Sequence, residues 1–379
     1  MPYLPKAIRN LAYGVASVAF PIALHRIGVP PLQAGVIITL GLIAGAAQSF
    51  SAGRLAARFS LRLIVLGSAL AMCAGALLGV TGHVALLAFG ALLGGFNVSN
   101  QEIGPFAAIE QVAIAEHTGA VRRLAVYNAV GTVALACGAV LGAIFSGPVA
   151  FIFYAAAGAA LFLTYARAPF PKPPATRARD IPTRHLSGIA ERIAGLFALD
   201  AFAGGLVVQG FITYWFVIRF HPDPRVLGAT IAFANVLAGL SLFFAAWLGQ
   251  RIGLLRAMVF THLPSNLLLA AIPLAPTFPV AAALLVARSA LSQMDVPTRQ
   301  ALVLEAVPLD ERTHAAGVTT AVRPAAAAFS PALAGMAMQS AFLGAPFFVA
   351  GALKALYDIL IFFTFRELDN RIARNRQLV

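Results

Sequence analysis

The chain has 379 residues, of which 60% are hydrophobic and 11% charged, with a mean hydropathy of +0.85. A water-soluble domain carries about 25% charged residues, so a chain this apolar cannot cover itself in water, and lipid is the solvent that fits. The net charge of +13 comes from basic residues in short segments between apolar runs, a topogenic pattern that argues against a nucleic-acid partner.

In chain order, the apolar runs predict spans at 8–26, 31–53, 63–81, 84–112, 124–146, 149–166, 193–218, 227–250, 256–275, 278–306, 314–338 and 345–365. Most are near the ~20 residues a helix needs to cross the hydrocarbon. The runs are continuous rather than alternating, which excludes a sheet barrel. The fold class is therefore all-α polytopic, with about 12 transmembrane helices in two pseudo-symmetric six-helix bundles. The first run follows Lys6 and Arg9, as a signal peptide would, but it is echoed at the start of the second half and reads as a span. Segment 168–191 is Pro-rich and basic and reads as a linker between residues 1–167 and 192–379. Counting Lys and Arg puts 20 on the side of the linker and both termini against 3 on the other, with four inside spans. That bias places both termini in the cytoplasm. The heavy use of Arg over Lys suits a GC-rich bacterial genome, hence a bacterial inner membrane. Cys73 and Cys137 lie inside apolar runs, with no disulfide or metal pattern.

An internal repeat divides the chain. Leu55 and Arg58 match Leu248 and Arg251 at an offset of 193, as Glu102 matches Asp295 and Gly142 matches Gly335. The stretch 110–118 matches 305–313 at an offset of 195, with Glu, Val, Glu and Thr in register. Six spans per half make this a parallel repeat, with its axis along the membrane normal.

Charges inside spans are costly, at least ~2.5 kcal/mol each at the bilayer centre, and should face protein or water with a partner. On span four, Asn97, Ser99, Asn100, Gln101 and Glu102 form the most polar stretch of any span. Glu110 and Glu305, at the ends of spans four and ten, are placed to pair with Arg58 and Arg251. On span seven, Asp200 has no basic residue one turn away, so its partner must come from another helix, Arg9 or Arg323 for instance. A desolvated carboxylate of this kind is a candidate for proton coupling. On span ten, Arg288, Ser292, Asp295 and Arg299 fall on one helical face, and Pro297 removes an amide donor and loosens the helix in the same stretch, as in the broken helices of transporter sites. Their functional role would be to bind substrate or a proton through Asp295. The structural alternative is a salt bridge between helices. Lys354 and Asp358 on span twelve are spaced as an i,i+4 structural pair, and His83 and His262 read as structural histidines.

The repeat and the segment between spans two and three resemble the major facilitator superfamily across essentially the whole chain. The family pattern Gly-x-Leu-Ala-Asp-Arg-x-Gly-Arg-Arg is matched here by Gly53, Leu55 and Arg58, with departures at Ala57 in the acidic place and Ser60 at the second glycine. The second copy keeps Leu248, Arg251 and Gly253 but has Gln250 at the acidic place. Span five carries Gly131, Gly138 and Gly142 without the proline of the family's antiporter signature. The resemblance implies a central cavity lined by spans one, four, seven and ten. That would expose Asp295, Glu102, Asp200, Arg288, Arg299 and Arg323 to substrate or protons, with Tyr13, Gln209, Tyr214 and Trp215 as further lining. It also implies a cytoplasmic gate built on Gly53, Arg58, Glu110, Arg251 and Glu305.

No Walker A loop, HExxH or GxSxG motif is present, so neither an enzyme nor a cofactor is expected. The expected function is secondary active transport of a small-molecule substrate, proton-coupled, by efflux or exchange, as a monomer in the lipid bilayer. A non-transporting sensor or assembly protein, or a lipid-moving protein, is the alternative.

Overall fold

The computed structural model describes residues 2–56, 58–94, 96–99, 104–115, 120–145, 147–168, 188–307, 312–340 and 342–377. The predicted linker lies almost wholly outside the described residues, although helix resumes at Gly188, four residues before the predicted start of the second half.

Among the described residues, eight of the predicted spans are single helices. They are α1 (Tyr3–Arg26), α2 (Pro31–Ala56), α3 (Leu61–Val80), α6 (Ala120–Ile144), α7 (Pro148–Arg167), α10 (Pro224–Ile252), α11 (Leu254–Ala271) and α16 (Ala345–Gln377). The other four are interrupted. Span four is α4 (Val84–Leu92) and α5 (Pro105–Ala115). Span seven is α8 (Gly188–Gly205) and α9 (Gln209–Phe220). Span ten is α12 (Phe278–Ser292) and α13 (Asp295–Ala306), and span eleven is α14 (Arg312–Ala328) and α15 (Ser330–Ser340). Interrupted helices are tolerated at membrane depth where protein or a cavity covers the freed backbone groups. Pro105 and Pro297 fall in the first turns of α5 and α13, where a missing N–H costs little. The breaks therefore precede the prolines rather than centre on them.

The chain divides into two compact units. The first comprises Met1–Asp180, Val208–Phe233 and Pro331–Ser340, and the second Ile181–Val207, Ala234–Ser330 and Ala341–Val379. In the first, α1 packs along α6 at backbone contact. A Cβ on Gly14 would come within 2.1 Å of Leu135 O, and one on Gly138 within 2.1 Å of Leu11 O. Small residues of this kind substitute for a hydrophobic driving force between helices in lipid. In the second, α8 packs on α14 and α16, and α11 on α12, α13 and α16. Its core gathers Ile193, Phe197, Leu255, Met258, Leu302, Tyr357 and Ile361. Large apolar side chains point outward instead, Phe243 and Phe244 being 68% and 63% exposed. Outward apolar and inward polar groups are the pattern that lipid, not water, selects.

Candidate substrate and coupling site

The second unit holds a buried ionic network drawn from five spans. At its centre is Asp200 of α8, 1% exposed. Its Oδ1 accepts from Lys354 Nζ at 2.5 Å, and its Oδ2 from Arg323 at 2.9 Å and Arg299 at 3.4 Å. Three cations from α16, α14 and α13 thus converge on one carboxylate. Arg299 also donates to Asp295, one turn earlier on α13, and stacks over Phe197 with 5.5 Å to the ring centroid.

His262 of α11 joins this network to a third carboxylate. Its Nδ1 lies 2.8 Å from Asp358 Oδ1, and its Nε2 3.8 Å from Asp200 Oδ1. Asn266, one turn on, donates to Asp358 Oδ2 at 2.8 Å. The imidazole thus stands between two buried carboxylates.

Two expectations are corrected here. Lys354 and Asp358 do not pair with each other: Lys354 reaches Asp200, while Asp358 takes His262 and Asn266. The polar stripe of span ten is not one continuous face, because the turn at Gln293 and Met294 separates Arg288 and Ser292 on α12 from Asp295 and Arg299 on α13. Ser292 Oγ bonds locally to Ser289 O at 3.3 Å.

The first unit has its own ionic centre. Glu110, 4% exposed, accepts from Arg9 through both oxygens, at 3.1 and 2.9 Å. Tyr127 donates to Oε2 at 2.6 Å and Tyr165 to Oε1 at 2.5 Å. Arg9 is fully buried and engaged by Glu110, and the carboxylate of Asp200 takes Lys354, Arg323 and Arg299 in place of the expected Arg9. Lys6, 3% exposed, sits over the Tyr127 ring. Removing both from the orientation count leaves the excess on the linker side. Arg58 is exposed and Glu110 is fully engaged elsewhere, so the expected Arg58–Glu110 pair does not form.

The remaining candidates fall as follows. Asn97 and Ser99 lie in the break of span four, where Asn97 Oδ1 accepts from the Ser99 amide at 3.1 Å and hydroxyl at 2.8 Å. This is an Asx-type turn that satisfies the interrupted backbone. Tyr13, with Gly41, Gln48, Asn97 and Phe106, lines a small pocket in the first unit. Gln209 donates to Ser17 Oγ at 2.9 Å, and the Tyr214 hydroxyl to Val29 O at 2.5 Å. Gly53 lies in α2, and Arg251 is exposed over the Trp247 ring. Asn100, Gln101, Glu102 and the Glu305 side chain lie outside the described residues.

The sequence reading missed the placement of His262, Asn266, Lys354 and Asp358 around Asp200. The i,i+4 spacing of His262 with Asn266, matched by that of Lys354 with Asp358, was the available signal.

The sequence of residues 7–221 matches the family model described as Major Facilitator Superfamily. The chain belongs to this superfamily. A relative from Saccharomyces cerevisiae, the uncharacterized membrane protein YJR124C, is 21% identical over 97% of this chain and 94% of its own length. Among solved structures, a D-xylose-proton symporter aligns with a TM-score of 0.71 at 14% identity, over 95% of this chain and 96% of that one. The nucleoside transporter NupG aligns with a TM-score of 0.71 at 13% identity, over 96% and 98%. A bacterial homologue of the iron transporter ferroportin, in its inward-facing state, aligns with a TM-score of 0.69 at 12% identity, over 95% and 96%. As a member of the Major Facilitator Superfamily, the chain is a multi-pass membrane transport protein and not an enzyme. Three such different cargoes on one fold mean that the fold does not name the substrate; the site must.

Proposed function

We propose that this chain is a secondary active transporter of a small solute, working by alternating access and coupled to protons, by efflux or exchange. In this reading the repeat halves 1–167 and 192–379 are bundles that rock about a midplane site. The linker 168–191 and both termini face the cytoplasm of a bacterial inner membrane, and the protein acts as a monomer. Glu102, Asp295, Arg288, Arg299 and Arg323 would contact substrate or protons, and Gly53, Arg58, Arg251 and Glu305 would serve the cytoplasmic gate. Glu110 would steady the first bundle.

The observation that carries the reading is the sharing of Asp200 by Lys354, Arg323 and Arg299, from three different spans. Protonating Asp200 requires displacing the three cations that hold it ionised, so uptake of a proton there would be linked to the separation of spans ten, eleven and twelve. His262, between Asp200 and Asp358, supplies a route for that proton.

The test is proton flux in liposomes enclosing a pH-sensitive dye. Purified protein would be challenged with sugars, nucleosides, organic anions, hydrophobic cations and divalent metals. At least one class should drive proton movement in the wild type, and Asp200→Asn should abolish it while the protein stays folded. Should no class move protons or counterflow in the wild type, the protein is a sensor, an assembly partner or a lipid mover.

A further inference from the structure

Among the described residues, the charges of the buried network in the second unit do not balance, and the imbalance has an address. Around Asp200, Asp295 and Asp358 stand four permanent cations, Arg288, Arg299, Arg323 and Lys354. Arg299, Arg323 and Lys354 each touch a carboxylate. Arg288 does not. Its guanidinium makes no hydrogen bond or salt bridge among the described residues, and its Nε is completely buried. Its backbone carbonyl accepts from Ser265 Oγ at 3.4 Å, and its side chain lies on the same span as Asp295 and Arg299.

Arg288 is partly exposed, and a guanidinium at membrane depth whose Nε has no partner is costly unless water or a ligand completes it. Arg288 also sits one turn before the interruption between α12 and α13, where backbone groups are released from helix bonding. With His262 neutral, the network carries one excess positive charge, which a single carboxylate on a small solute would neutralise. A carboxylate also fits the guanidinium fork with two parallel hydrogen bonds. A phosphate dianion would overshoot the balance, and a cation would enlarge the excess.

We infer that the transported solute is a small organic monocarboxylate bound by Arg288 at the break of span ten. This inference rests on the transporter reading above.

The experiment is thermal stabilisation of purified protein in detergent. Its probes are lactate and benzoate as monocarboxylates, succinate and inorganic phosphate as anions of other charge or shape, xylose and uridine as neutral solutes, and tetraphenylphosphonium as a cation. A monocarboxylate should stabilise the wild type. Arg288→Gln should weaken its apparent Kd by about 10- to 100-fold, the range for losing a charge-assisted pair. Arg288→Lys should recover part of the loss, and the melting temperature without ligand confirms that each variant folds. If a neutral or cationic probe stabilises the wild type and no carboxylate does, the monocarboxylate inference is overturned while transport stands. Stabilisation by phosphate in preference to carboxylates also overturns it, as does carboxylate binding that Arg288→Gln leaves intact. If no probe stabilises the wild type, the monocarboxylate inference is overturned, and the liposome flux assay decides separately whether the protein transports.

Discussion

At the scale of single residues, each unit commits buried charge to partners from distant parts of the chain. Glu110 is a fully satisfied carboxylate, with two bonds from Arg9 and one from each of two tyrosines. Removing one member leaves the other charged and alone. Arg9→Met is therefore expected to destabilise the protein by about 3–5 kcal/mol, whereas the double variant Arg9→Met, Glu110→Leu should recover much of the loss. Denaturant titration in detergent micelles would check this, and a double variant no better than the single would refute it. Asp200 differs, because its cations outnumber its oxygens. An Asp200→Asn variant leaves Lys354 with no carboxylate among those it touches, which is why its effect is expected on transport and on stability together.

At the scale of elements, the helices divide into those that hold position and those that are broken. The contact of α1 with α6 depends on the absence of a side chain at Gly138. Gly138→Leu should abolish accumulation of folded protein, since even a Cβ collides with the Leu11 carbonyl. Gly67 on α3 has nothing within 4 Å of an added Cβ. Gly67→Ala should be neutral or stabilise by up to about 1 kcal/mol through helix propensity alone. Fluorescence-detected size exclusion of the two variants separates close packing from a general intolerance of change. Gly131, Gly138 and Gly142 drew notice in the sequence as fragments of a family signature. In the fold they press against Lys6, Leu11 and Val15 of α1.

At the scale of the whole molecule, topology is the property most open to direct test. Asp180→Cys, placed in a background with Cys73→Ser and Cys137→Ser, should react with impermeant maleimide only from the cytoplasmic face. Labelling from outside intact cells would reverse the orientation. Leaving Lys6 and Arg9 out of the sequence count trims the predicted charge bias without reversing it.

The sequence by itself determined the span number, the superfamily and the candidate charges, because each is local. Twenty apolar residues declare a crossing wherever they fold, and a repeat of 193 residues needs only counting. It also offered Arg9 or Arg323 as a partner for Asp200, since a lone in-span acid demands a base, and of the two the structure uses Arg323. Only the tertiary structure decided who meets whom. Arg9 and Glu110 are 101 residues apart, Asp200 and Lys354 154, and His262 and Asp358 96. Those encounters depend on how helices rotate and where spans four, seven, ten and eleven break, which no local spacing records. The i,i+4 rule was satisfied by Asp295 with Arg299 and defeated at Lys354 with Asp358. In the latter case a more deeply shared carboxylate on another helix took the cation.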